Sequence, residues 1–346
     1  MNDLLIETLS NESDITAWNA YVEQSAQATF FHRAEWRDVI KQSFGHNSYY
    51  LFAKQGNQVV GILPLGHVSS WLFGHALISV PFCVYGGVVA DSEFIQHALI
   101  SKAVELAKQL QVDYLELRNQ QAIELDGWEE KSLYVNFCKI ISDNEDENLK
   151  SIPRKQRAMV RKGIKSELTT TVEHSVEDFF TAYSTSVRNL GTPVFPKKYF
   201  KVLMETFADE ADIITINDKT GNLVASVLSF YFKDQVLPYY GGGTELARQS
   251  AGNDFMYWQL MCHAVKKGKR VFDFGRSKQN TGAYSFKKNW GFTAEPLSYQ
   301  YYLVKAKSLP NVSPTNPKYQ LFIKLWQKLP LAISQLLGPM IAKNLG

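Results

Sequence analysis

The chain has 346 residues, a length that argues for about two domains. Hydrophobic residues make up 45% and charged residues 21%. That excludes a disordered chain; no apolar run reaches the ~18 residues of a spanning helix, and MNDLLIETLSNESD lacks the basic and apolar regions of a signal peptide, so a cytoplasmic protein is expected. The net charge of +3 is unevenly held. Seven Lys/Arg in 150–165 and six lysines after Glu295 account for thirteen of the 37 basic residues and none of the 34 acidic ones. Two local anionic contacts are expected, not a general affinity for polyanions such as DNA. Cys83, Cys138 and Cys262 are widely spaced and form no C-x-x-C, so neither a disulfide framework nor a metal site is expected.

In chain order, WNAYVEQS and AEWRDVIKQSF predict two helices. YYLFAKQGNQVVGILPL (49–65) reads as two alternating strands joined at Gly-Asn. SVPFCVYGGVVAD (79–91) reads as an apolar strand ending in Tyr85-Gly86-Gly87. A helix follows over 92–110, with apolar positions on one face, then a buried strand, VDYLELRN (112–119). The acidic run DNEDEN (143–148) and Pro153 mark a boundary. IPRKQRAMVRKGIK reads as a helix with Arg154, Arg157, Arg161 and Lys165 on one face and Val160, Ile164 and Leu168 on another.

The same order then recurs. VEDFFTAYSTSVRNL and KKYFKVLMETFADE predict helices, and 211–232 predicts strand, Thr-Gly-Asn turn and strand. The glycine-rich strand end LPYYGGGT (237–244) precedes a helix over 252–267 and the strand KRVFDFGRS (269–277). The tail, YQLFIKLWQKLPLAISQLLGPMIAKNLG, has an apolar stripe of Leu321, Phe322, Leu325, Trp326 and Leu329 flanked by Lys318, Lys324 and Lys328. Such a basic amphipathic helix either lies in a membrane interface or docks on the protein. The expected organisation is two α/β domains with mixed central sheets, 1–145 and 171–306. A basic helix and linker, 146–170, joins them, and a basic amphipathic tail, 307–346, follows.

The segments SVPFCVYGGVVAD, YLELRN, IPRKQRAMVRKGIK, RNLGTPVF, SAGNDFMYWQL, FDFGRS and TGAYSFKKNWGF resemble the FemAB family. Within it they look like the proteins associated with exosortase/PEP-CTERM and exopolysaccharide systems. The resemblance covers nearly the whole chain. It implies two tandem GNAT (acyl-CoA N-acyltransferase-like) domains, and transfer of an amino acid from aminoacyl-tRNA to the peptide stem of a peptidoglycan precursor. It also implies roles for three residues. Lys287, following Phe286, would stabilise charge at the reacting carbonyl; Arg188 would grip the pyrophosphate of the acceptor; Tyr240 would lie near that acceptor.

Residue chemistry leaves each position open to a second reading. A cation fixed in a water-poor cleft stabilises an oxyanion, but Lys287 and Lys288 on an exposed helical turn would do little. Arg188 suits phosphate oxygens and equally complements a helix C-terminus. Tyr85 and the Gly241–Gly242 pair either admit a ligand to the backbone or mark a bulge among core tyrosines. Asp273 is either a general base for an attacking amine or a partner of Arg276. The four basic residues from Arg154 to Lys165 fit the phosphates of tRNA or of a lipid-linked carrier, or simply a solvated helix.

Gln249-Ser250-Ala251-Gly252-Asn253-Asp254 resembles a pyrophosphate loop of CoA enzymes, except that Asp254 would repel the anion; it is read instead as a residue of the helix N-cap region. The expected function is therefore acyl or aminoacyl transfer to an envelope or exopolysaccharide precursor at the inner face of the plasma membrane, with no metal required. The donor is aminoacyl-tRNA or acyl-CoA. A CoA-dependent transferase for an exopolysaccharide sugar and a non-catalytic scaffold are the alternatives.

Overall fold

The computed structural model describes residues 4–70, 74–309 and 317–345, excluding the side chains of 317–319. The chain divides into two units. The first comprises residues up to Tyr134 with a return over Pro296–Asn311 and the last four residues; the second comprises Val135–Glu295 and Val312–Ala342.

The first unit opens with β1 (Leu4–Thr8), α1 (Glu12–Gln24) and α2 (Trp36–Phe44). It continues through β2 (Asn47–Gln55), β3 (Gln58–Ser70), β4 (Gly74–Ile78), β5 (Val89–Ala90), α3 (Glu93–Gln109), β6 (Tyr114–Asn119) and β7 (Glu129–Lys131). Asn11 caps α1 by accepting from Asp14 N–H, and Ser92 caps α3 by accepting from Ile95 N–H, each satisfying a donor the helix cannot. The buried face of α3, Ile95, Leu99, Ala103 and Ala107, packs into the sheet core with Leu63, Leu65, Leu77 and Leu115.

The second unit runs through β8 (Tyr134–Ile140), α4 (Glu145–Ser151), α5 (Arg154–Lys165), β9 (Thr169–Glu173), α6 (Glu177–Asn189), α7 (Lys197–Thr206), β10 (Ala211–Asn217), β11 (Leu223–Phe232) and β12 (Gln235–Gly243). Then come α8 (Glu245–Ser250), α9 (Gly252–Lys266), β13 (Val271–Asp273), β14 (Ser277–Lys278), α10 (Gly282–Asn289) and β15 (Thr293–Pro296). β16 (Ser298–Leu303) belongs to the first unit, and the chain closes with α11 (Pro317–Trp326) and α12 (Leu331–Ala342).

A β-β-β-α-β order is present twice, but in the first copy its third strand is β4, Gly74–Ile78, and not the expected 79–91. The first sheet runs β1-β2-β3-β4-β6-β16-β7, the second β14-β8-β13-β12-β11-β10-β9. In each, an antiparallel meander ends in a strand joined through a helix to a parallel neighbour: β4 to β6 and β12 to β13. The strand on the far side of that neighbour comes from the other half of the chain. β8, which follows the first repeat, pairs antiparallel with β13; β16, which follows the second, pairs antiparallel with β6.

Three local expectations are corrected. Residues 79–88 are not a strand: Val80, Phe82 and Gly86 have φ of 50°, 68° and 129°, values that break a ladder, and only Val89–Ala90 is extended and paired. The strand expected over 269–277 is cut to Val271–Asp273. Ile164 is 48% exposed, whereas Val160 and Leu168 are buried.

Candidate active site

The site in the second unit starts where its two central parallel strands part. β12 and β13 pair only at Gln235–Val271 and Val236–Phe272. β12 runs on to Gly243, while β13 stops at Asp273. The stop is built by a short turn. Asp273, 4% exposed, accepts the Gly275 N–H at 2.8 Å, and Gly275 takes a φ of 68° that suits glycine. Phe274 N–H turns away to the Phe137 carbonyl at 2.8 Å.

Lys287 closes over this turn. Thr281 caps α10 by accepting from Tyr284 N–H, which sets the helix so that Lys287 points inward while Lys288 is exposed. Lys287 Nζ donates to the carbonyls of Gly275 and Arg276, at 2.9 and 3.0 Å. It also stands 5.8 and 5.7 Å from the ring centres of Phe137 and Phe274, within cation–π range. Burial among these groups pushes its pKa down to about 7; the Asp273 charge opposes the shift and Arg276 adds to it. An ammonium has three N–H donors, and two are held by the carbonyls. The reading of two exposed lysines on a turn fails for Lys287.

Phe286 packs with Tyr257, Phe274 and Trp290, with ring centres 5.6, 6.2 and 6.1 Å away. Tyr257 was not singled out from the sequence. Its ring lies 4.7 Å from Phe274, and its hydroxyl would be 3.3 Å from a β-carbon at Gly241. It therefore links β12 to the Lys287 turn. Burial raises its pKa to about 12. Its only sequence signal is an aromatic in an apolar helix, which is also what a core residue looks like.

The glycine pair divides in role. A β-carbon at Gly242 would come within 2.6 Å of the Ala182 carbonyl and 2.8 Å of Tyr183 Cα; what Gly242 admits is α6, not a ligand. Tyr240 is 7% exposed and its hydroxyl lies 2.9 Å from that of Tyr199. Phe200, Tyr183 and Phe195 surround it. Arg188, near the end of α6, donates through Nη1 to the Leu329 carbonyl at 3.0 Å, and its buried Nε has no hydrogen-bond partner. Hydrogen bonding therefore ties this arginine to the segment between α11 and α12. Tyr85 belongs to the first unit, where it is buried. With Gly86, Gly87, Arg118 and Asn119 it lines a separate cleft of about 1340 Å³.

Arg154, Arg161 and Lys165 are exposed and Arg157 half-buried along α5, and none takes part in an ion pair among the described residues. The opposite face of α5 meets α9 closely: a β-carbon at Gly163 would come within 2.6 Å of Phe255 Cβ. Asp254 lies in the first turn of α9, as expected, three residues after the N-cap Ala251, whose φ is 58°. Its carboxylate is buried, accepting from Gln156 Nε2 and from Trp290 Nε1 at 3.0 Å, and burial raises its pKa. The repulsion expected against a pyrophosphate is removed, because the charge is turned into the core. Among the described residues no three His, Cys, Asp or Glu side chains group as a metal site needs.

Comparison with known proteins bears on the fold and the activity class. Residues 148–288 match the family model described as an acetyltransferase (GNAT) domain. No curated protein matches the chain by sequence. Among solved structures, FemX is similar at a TM-score of 0.68 and 16% identity, covering 92% of this chain and 100% of that one. A tandem GNAT protein from the clavulanic acid biosynthesis pathway is similar at 0.56 and 12%, covering 89% and 100%. The C-terminal domain of a candidate lysylphosphatidylglycerol synthetase from Agrobacterium fabrum is similar at 0.57 and 13%, covering 84% and 92%. The chain thus has the FemX-like tandem GNAT fold, and its second unit carries an acetyltransferase (GNAT) domain, whose activity class is acyl transfer.

Proposed function

We propose that the second unit transfers an aminoacyl or acyl group to an amine of a cell-envelope or exopolysaccharide precursor, one carried on a lipid. The amine adds to the carbonyl carbon of a donor ester or thioester. The third N–H of Lys287 holds the oxyanion that forms; the C–O or C–S bond then breaks, and the leaving group takes up the proton that the amine gives up. Asp273 is assigned the positioning of Lys287, because its Oδ1 holds the Gly275 turn that presents both carbonyls. Arg188 and Tyr240 are proposed on the acceptor side, with Arg276 and Gly241 bordering the wedge. The free basic face of α5, Arg154 to Lys165, is proposed for donor or carrier phosphates.

The observation that carries this reading is the Lys287 ammonium, fixed and desolvated at the parting of β12 and β13. A preorganised cation in such a place is worth about 3–4 kcal/mol of transition-state stabilisation. Support for an aminoacyl donor and a lipid-borne acceptor comes from the similarity in fold to FemX and to a protein whose name contains an aminoacyl lipid. A thioester donor is favoured by a different observation, the inward-turned Asp254 carboxylate, which leaves the start of α9 free of a repelling charge.

The test supplies bulk aminoacylated tRNA or acetyl-CoA, with hydroxylamine as the amine, and measures hydroxamate formation. One donor is consumed, and Lys287→Met slows that reaction about 10²–10³-fold. Equal rates for variant and wild type, or consumption of neither donor, contradict the proposal.

A further inference from the structure

The last helix, α12, is docked in an inverted sense, and α11 before it leaves part of its apolar surface outside. On α12 the buried residues are Ser334, Gly338 and Ala342, one turn apart and small. Gln335 Nε2 donates to Ser184 Oγ of α6 at 2.8 Å, and a β-carbon at Gly338 would come within 2.8 Å of Val194 N. The large side chains lie on the other side: Ile333, Leu336, Leu337 and Met340 are 42%, 72%, 40% and 65% exposed. α11 turns Trp326 inward, and just beyond its end Gln327 Nε2 donates to the Asn189 carbonyl at 3.1 Å. Leu321, Phe322 and Leu325 are 66%, 36% and 59% exposed. A helix that only completes a fold turns its large apolar residues inward; a contiguous outward run marks a surface with a partner.

We infer that α11 and α12 form a peripheral docking surface for a bilayer carrying anionic headgroups. The charge pattern selects this occupant. From Pro296 to Gly346 there is no acidic residue, and Lys324 and Lys328 are exposed beside the apolar run. Lys318, the third flanking lysine, lies outside the described side chains. A second copy of this face would set lysines against lysines in a two-fold contact, whereas anionic lipid complements them. No helix among the described residues is long and apolar enough to cross a membrane; the surface lies in the interfacial plane, its leucines and phenylalanine in the acyl boundary and its lysines among the headgroups. This holds whatever the donor or acceptor.

The test is flotation of the full chain with vesicles of phosphatidylglycerol and phosphatidylcholine in equal parts, and with phosphatidylcholine alone. The chain floats with the anionic vesicles. Lys324→Gln with Lys328→Gln weakens that binding on the order of twenty-fivefold, about fivefold per lysine removed. Leu325→Ser with Leu336→Ser, both at exposed positions and checked for an unchanged circular dichroism spectrum, abolishes binding to the anionic vesicles. Absence of flotation overturns the inference, as does flotation indifferent to both pairs of substitutions. A dimer in size exclusion that the leucine substitutions dissociate reassigns the face to a second copy.

Discussion

Lys287 sits on the descending side of its own titration near neutral pH, and the sign of that shift has consequences. Its pKa falls from 10.5 to about 7 on folding because the ammonium is desolvated. Between those values the unfolded chain binds a proton that the folded chain does not, so this residue makes stability rise with pH across that window. Below about 7 both states hold the proton, and the whole cost of burying the charge is borne by the fold. Removing Lys287 also orphans the carbonyls of Gly275 and Arg276, a cost that does not depend on pH. The two effects separate in urea melts of wild type and Lys287→Met at a series of pH values. Relative to the variant, the wild type gains about 2–4 kcal/mol from neutral to strongly alkaline pH. A difference that stays flat with pH means that the lysine is solvated.

At the scale of elements, α5 does two jobs on two faces. Val160 and Gly163 are buried, and Gln156 reaches the Asp254 carboxylate of α9, so one side is fixed to the core. The other side carries unpaired basic groups. Substitutions there leave stability within about 0.5 kcal/mol, while a phosphate-binding role predicts a large electrostatic effect. Arg157→Glu with Arg161→Glu weakens binding of bulk aminoacylated tRNA, and the dependence of log affinity on log salt becomes shallower by about two. An unchanged salt dependence removes α5 from the donor site. The element boundaries also show where local signals end. The basic face was legible because its spacing matches the helical repeat, and the α5–α9 contact through Gly163 was not, because a glycine within a helix says nothing about what approaches it. Gly242 is a similar case: its pattern suggested a ligand, and it is α6 that needs the space.

Over the whole molecule, the doubled α/β order was legible because each copy carries alternating strands, a glycine-rich segment and an amphipathic helix in fixed sequence, although only in the second copy do those glycines end a strand. The exchange of β8 and β16 between the two sheets was not. Edge pairing depends on which strand end is left open after each repeat, and neither strand carries a residue that names its partner. The loop at 79–88 hid for a related reason: its apolar residues match a buried strand, and only the positive φ values of Val80 and Phe82 show otherwise. Of the candidate site, Lys287, Asp273 and Arg276 come together as one turn-and-helix unit, and Tyr257, which joins it to β12, looked like any core aromatic.

Everything proposed for the second unit turns on the state of one ammonium, and that state is measurable without knowing the substrate. The direct measurement is a titration of carbon-labelled lysine side chains by NMR, with the Lys287 signal assigned by its loss in Lys287→Met. A midpoint near 7 is the predicted result. A midpoint near the ordinary lysine value of about 10.4 contradicts it and returns Lys287 to the surface.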